Sequence, residues 1–164
     1  AGFRYQPVPG DEKTMHSLSS CLMHCVFATK ERQPFLSHEI RDRLHPYLGG
    51  IARDNSMKAL AIGGTEDHVH ILLSIPATLS VSKAMQLMKG NFSKWLRDTF
   101  PEIKSKEFAW QQGFGAFSIS VSSIDDTVRY IRNQEQHHQK KSFRNEFENF
   151  LRKHKIEFDP KHIE

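Results

Sequence analysis

The most constraining feature of this chain is the order in which two periodicities alternate. Residues 57–62 (MKALAI) and 68–75 (HVHILLSI) are apolar, strand-like runs separated only by Gly63-Gly64-Thr65-Glu66-Asp67, which reads as a turn. An apolar run also fills 20–29, and another 116–121. Between the first and second runs, Ser37 offers an N-cap, and Ile40, Leu44, Tyr47, Leu48 and Ile51 recur at helical spacing, with Gly49-Gly50 weakening the end. Between the third and fourth, a helix opens at Ser80 and runs to about Thr99, with Val81, Ala84, Met85, Met88, Phe92, Trp95 and Leu96 on one face. The order β-α-β-β-α-β predicts an α+β fold with a ferredoxin-like antiparallel sheet. Two helices are appended, one from Ser123 to about His138 and one over about 142–154.

At 164 residues the chain suits one core-bearing domain. We expect that domain over residues 15–138, with 139–164 as a helical extension. Residues 1–14 read as a polar leader and Met15 as a natural start. No apolar run is long enough to span a membrane. Cys21 and Cys25 are four apart, too distant along a strand to bridge, so free thiols and a cytoplasmic setting are expected. The net charge of +4 leans toward acidic partners without defining one.

The chemistry concentrates in two places. In His68-Val69-His70, residues i and i+2 of a strand share a face, so both imidazoles project together while Val69 turns to the other side. Imidazole nitrogens suit divalent metals. On the helix after the fourth strand, Tyr130 and Gln134 lie one turn apart, while Ile124, Val128 and Ile131 form its apolar side. A phenol, with a pKa near ~10, attacks phosphorus only when the phosphate is polarised and held in line, which a metal achieves. Glu66, Asp67 and His137 are secondary ligand candidates, and His24 reads as a sheet histidine.

His68-Val69-His70-Ile71-Leu72-Leu73-Ser74-Ile75-Pro76 and Tyr130-Ile131-Arg132-Asn133-Gln134 resemble the two motifs of the single-tyrosine HUH transposases, which include insertion-sequence and REP-associated tyrosine transposases. His24-Cys25-Val26-Phe27-Ala28-Thr29-Lys30, Val81-Ser82-Lys83 and Trp110-Gln111-Gln112-Gly113-Phe114 match in the same order, so the resemblance spans roughly 17–138. It implies a divalent metal, Mg²⁺ or Mn²⁺, held by His68, His70 and Gln134, with Tyr130 as nucleophile. It implies cleavage and rejoining of single-stranded DNA recognised through a hairpin, by way of a 5′-phosphotyrosine. It implies a homodimer, with the tyrosine helix of one subunit leaning toward the strand of the other. The stripe Phe143, Phe147 and Phe150 could serve such a contact or fold onto its own sheet.

Basic residues give the electrostatic footprint of a phosphate binder. The candidates are Lys30 and Arg32 after the first strand, Lys83, Lys94 and Arg97 opposite the apolar stripe of their helix, and Arg132 beside the tyrosine. Three other readings compete. A histidine-triad hydrolase is excluded because Leu72 stands where a third histidine is needed. A non-catalytic DNA-binding relative would not need Tyr130, His68 and His70 together. A ferredoxin-like domain of other purpose would carry the histidine pair by chance and bind metal weakly.

Overall fold

A computed structural model of the chain describes residues 18–101, 108–138 and 142–163. Residues 1–14, expected as a leader, lie outside the described residues.

Four strands form one sheet: β1 (Leu22–Ala28), β2 (Lys58–Gly64), β3 (His68–Ser74) and β4 (Gly115–Ser118). Their order is β2-β3-β1-β4 and every neighbour is antiparallel. This is the expected ferredoxin-like arrangement, with the histidine strand β3 at the centre.

The period-2 alternation of the strands sorts the core into two layers. On one face Cys25, Phe27, Val69, Ile71 and Leu73 pack beneath three helices, α1 (His38–Asp54), α2 (Val81–Gly90) and α3 (Phe92–Thr99). Ser37 caps α1 by accepting from the Ile40 amide, and Ile40, Leu44, Leu48 and Ile51 are its buried stripe. Ser80 caps α2 in the same way, accepting from the Lys83 amide. The other face carries α4 (Ile124–Arg132), the short α5 (Gln134–His138) and α6 (Phe143–Lys153). Ile124 and Ile131 of α4 pack on Leu22, Ala61 and Leu72. Phe143 and Leu151 of α6 pack on Val26, Ala28 and Phe117.

Three local expectations are corrected. The helix expected over 80–99 is two helices meeting at Asn91, where Gly90 leaves a weak joint. The helix through Tyr130 breaks at Asn133, which separates α4 from α5. Despite Gly49-Gly50, α1 continues to Asp54, with Ile51 and Ala52 buried beyond the pair. Gly63 and Gly64 are the last residues of β2 rather than part of the turn. Gly63 is there for clearance: a Cβ at this position would come within 2.1 Å of the Ile131 carbonyl oxygen, so its hydrogen lets α4 lie directly on the sheet.

Candidate metal and tyrosine site

The second face of the sheet is apolar at its two ends and polar in between. His68 and His70 project there from β3, side by side as the alternation requires, and both are completely buried. Gln134, at the start of α5, and Glu146, in α6, reach the same spot from above, at 1% and 9% exposure. Four buried polar side chains converging between two apolar clusters are costly unless they satisfy one another or a shared ligand.

Each histidine is held by a partner. Asp67 Oδ1 lies 2.7 Å from His68 Nδ1 and also accepts from the Thr65 hydroxyl at 2.9 Å. With Nδ1–H donating to that carboxylate, the lone pair on Nε2 is turned toward Gln134, whose Oε1 is 3.4 Å away. Asp67 is fixed in turn by Arg32, which donates to its Oδ2 at 2.6 Å and stacks over the Phe143 ring at 3.7 Å. On the other side His24 Nε2 lies 2.9 Å from His70 Nδ1. That pairing, with Nδ1–H on His70, leaves its Nε2 lone pair facing Glu146 Oε2 at 3.9 Å. Glu146 Oε1 accepts from Gln134 Nε2 at 3.2 Å, which points the amide oxygen of Gln134 at His68.

Burial sets the protonation states. It holds His24 down at about 4, helped by the charge of His154. It lowers His68 as well, against the opposing pull of Asp67. Buried imidazoles kept neutral are what a metal ligand requires. Burial would raise the Asp67 carboxyl, but hydrogen bonds from His68 and Arg32 outweigh it and hold the group well below the usual range. Burial pushes Glu146 up to about 7, with Arg32 pulling the other way.

The donor set fits a divalent cation. The ligand atoms of His68, His70 and Glu146 lie within 4.8 Å of one another. Ligands sharing one octahedral ion at about 2.1 Å stand roughly 3 to 4 Å apart, so a small contraction closes the cage. The Asp67–His68 pair also has the carboxylate–imidazole form that orients metal-bound histidines.

Tyr130 is half-buried at the edge of this cluster. Its ring centre is 5.9 Å from that of His70, 6.0 Å from His24 and 5.6 Å from Phe150. Tyrosine, histidine pair and glutamine thus come together within one chain. The stripe of α6 is also used internally, with Phe143, Phe147 and Phe150 all packed over the same sheet face.

Of the basic candidates, Lys30, Lys83, Lys94, Arg97 and Arg132 are exposed. Arg32 is half-buried and engaged with Asp67 and Phe143, so its structural role is to brace the histidine strand. Lys83, Lys94 and Arg97 sit on α2 and α3, the layer opposite the histidine cluster. The side chain of His137 lies outside the described residues.

Sequence reasoning missed Glu146 and underweighted Asp67 and His24. Glu146 left one signal: it falls on the apolar stripe of its helix, among Phe143, Phe147 and Phe150, where an acid has no packing reason to be. The meeting of His24 with His70 is a matter of strand register, Val26 rather than His24 being the cross-strand partner of His70.

A ferredoxin-like sheet bearing a buried histidine pair, with a helical tyrosine at its edge, defines the chain as transposase-like. It belongs to the IS200-like transposase family, matched over residues 17–134. The transposase for insertion sequence element IS200 of Salmonella typhimurium is 31% identical over 128 residues, covering 74% of this chain and 84% of the relative. The ISDra2 transposase TnpA of Deinococcus radiodurans is 25% identical over 114 residues, covering 68% and 81%. Among solved structures, a protein of Deinococcus radiodurans assigned as a transposase superposes with a TM-score of 0.61 at 24% identity, covering 76% of this chain and 98% of that one. A REP-associated tyrosine transposase bound to a REP hairpin superposes with a TM-score of 0.52 at 17% identity, covering 74% and 70%. Transposase function, and with it DNA recombination, follows from this membership. Among the described residues no helix is long and apolar enough to cross a membrane.

Proposed function

We propose that the chain cuts and rejoins single-stranded DNA beside a hairpin, with Tyr130 as nucleophile and His68, His70 and Gln134 holding Mg²⁺ or Mn²⁺. The observation that carries this reading is the approach of Tyr130 to the buried histidine pair within one chain. The solved relative that holds a REP hairpin supports the choice of substrate. Residues 15–138 would form the catalytic unit and 139–164 a helical extension, of which α6 packs over the sheet. Both cysteines are free thiols, which suits a cytoplasmic protein.

When bound, the cation supplies Lewis-acid polarisation and a fixed orientation for the scissile phosphate. Asp67 and His24 orient the two imidazoles, and the apolar clusters on either side keep water from the ring nitrogens. The Tyr130 oxygen forms a bond to phosphorus as the bond from phosphorus to the 3′ oxygen breaks. The phenol loses its proton, and the 3′ oxygen gains one and leaves as a hydroxyl. The phosphodiester energy is kept in the tyrosine ester, so a DNA 3′-hydroxyl can reverse the exchange without an external energy source. Lys30, Lys83, Lys94, Arg97 and Arg132 would contact phosphates. In a homodimer each copy would keep its own tyrosine with its own histidines.

Incubation with a library of single-stranded hairpin DNAs and Mn²⁺ tests the reading. The expected result is a covalent protein–DNA adduct that Tyr130→Phe abolishes while hairpin binding persists. Mixing Tyr130→Phe with His68→Ala protein should restore nothing, since each chain builds its own site. An adduct formed by the Phe variant would refute the assignment of the nucleophile.

A further inference from the structure

We propose that Glu146 is a fourth ligand of the divalent cation, so that metal binding clamps the C-terminal helix α6 over the histidine face. The inference rests on reading the histidine pair as a metal site, but it concerns a residue beyond the span that matches the family, which ends at 134.

Three observations carry it. The first is geometry: Glu146 Oε2 faces His70 Nε2 at 3.9 Å, and His68, His70 and Glu146 place one ligand atom each within 4.8 Å of the others. The second is the division of labour between its two oxygens. Oε1 accepts from Gln134 Nε2, so the same carboxylate that reaches the cation also fixes which end of the amide faces His68. The third is the contrast within α6. Glu148 stays on the outer side, where Arg144 and Arg152 flank it. Glu146 is instead turned inward at 9% exposure among phenylalanines. Helix packing alone favours an apolar side chain there, since burying a carboxyl is unfavourable unless its charge is compensated.

The chemical consequence is specific. Two imidazoles, an amide oxygen and a carboxylate make four protein ligands, which leaves two positions of an octahedron for phosphate oxygens. The carboxylate shifts the set toward harder, oxygen-seeking ions such as Mn²⁺ and Mg²⁺. It also offsets one unit of the cation's charge. Because the ligands come from β3, α5 and α6, the ion ties the extension to the sheet, and the bound state should be the one in which α6 is docked.

The test uses the full chain without DNA, with Mn²⁺ as the probe. Titration calorimetry should show Glu146→Gln weakening Mn²⁺ binding by about tenfold or more, the scale on which a site's supporting groups act. Glu148→Gln, on the outer side of the same helix, should leave it unchanged. Hydrogen exchange of the wild-type chain should slow across residues 143–153 when Mn²⁺ is added, and the Gln variant should lose that protection. If His70→Ala abolishes Mn²⁺ binding while Glu146→Gln binds as wild type, Glu146 is not a ligand and the histidine site stands. If neither variant changes the affinity, both readings fall. Should the Gln variant not fold, the wild-type exchange experiment decides alone: no Mn²⁺-dependent protection of 143–153 overturns the proposal.

Discussion

The two faces of the sheet are made by the same strands and have opposite contents. Beneath α1, α2 and α3 lies an apolar layer in which Phe27, Leu44, Leu48, Ile71, Met88 and Phe92 are essentially inaccessible to water. Beneath α4 and α6 the apolar contacts split into two clusters, and His24, His68, His70, Gln134 and Glu146 fill the gap between them. The first face can be explained by packing alone. The second cannot: its buried polar groups are arranged pairwise, with each imidazole oriented by a neighbour. The difference teaches where stability and chemistry separate in this chain. One residue step along β3 passes from a side chain that holds the fold together to one that can hold a cation.

The separation can be broken first where it should cost most in stability. Phe92 is fully buried and touches the rings of Tyr47, Trp95, Phe108 and Trp110. Phe92→Ala should remove about 3–5 kcal/mol, seen as a large drop in the denaturant midpoint, while the surviving folded fraction keeps its affinity for Mn²⁺. A loss of metal affinity per folded molecule would show that the two faces are coupled.

A change on the other face should do the reverse. Gly63 pairs with His70 on the neighbouring strand, and α4 rests against it. Gly63→Ala must push the helix outward, because the clash is with backbone. A displacement near 1 Å of the tyrosine relative to the histidines should cut the cleavage rate by roughly 10²-fold. Single-turnover cleavage measured beside a melting curve checks this. A variant that melts early yet cleaves normally when folded would show that the glycine serves only packing.

The smallest effect concerns the outer surfaces. Lys94 and Arg97 are exposed on α3, in the layer away from the tyrosine. Neutralising either should weaken binding of hairpin DNA about equally for all sequences and lower the salt slope by ~0.7 for each single-strand phosphate that no longer meets a cationic side chain. An unchanged slope in both variants would confine the DNA to the tyrosine side.

What the sequence determined by itself was whatever depends on local periodicity. The order of strands and helices and the shared face of His68 and His70 follow from the repeats of 2 and 3.6 residues, whereas the break at Asn133 puts Tyr130 and Gln134 on separate helices. The helix caps at Ser37 and Ser80 are equally local. Tertiary structure decided what depends on contacts between distant segments. No periodicity links Glu146 to His70, or Arg32 to Asp67, or predicts that Gly63 exists to admit Ile131. These follow from where α6 and α4 land on the sheet, which is set by shape and by the burial of phenylalanine and isoleucine side chains. The stripe of α6 made the same point: its apolarity required burial, but whether on this sheet or on another copy was a question of complementary surfaces, and in this chain its own sheet supplies one.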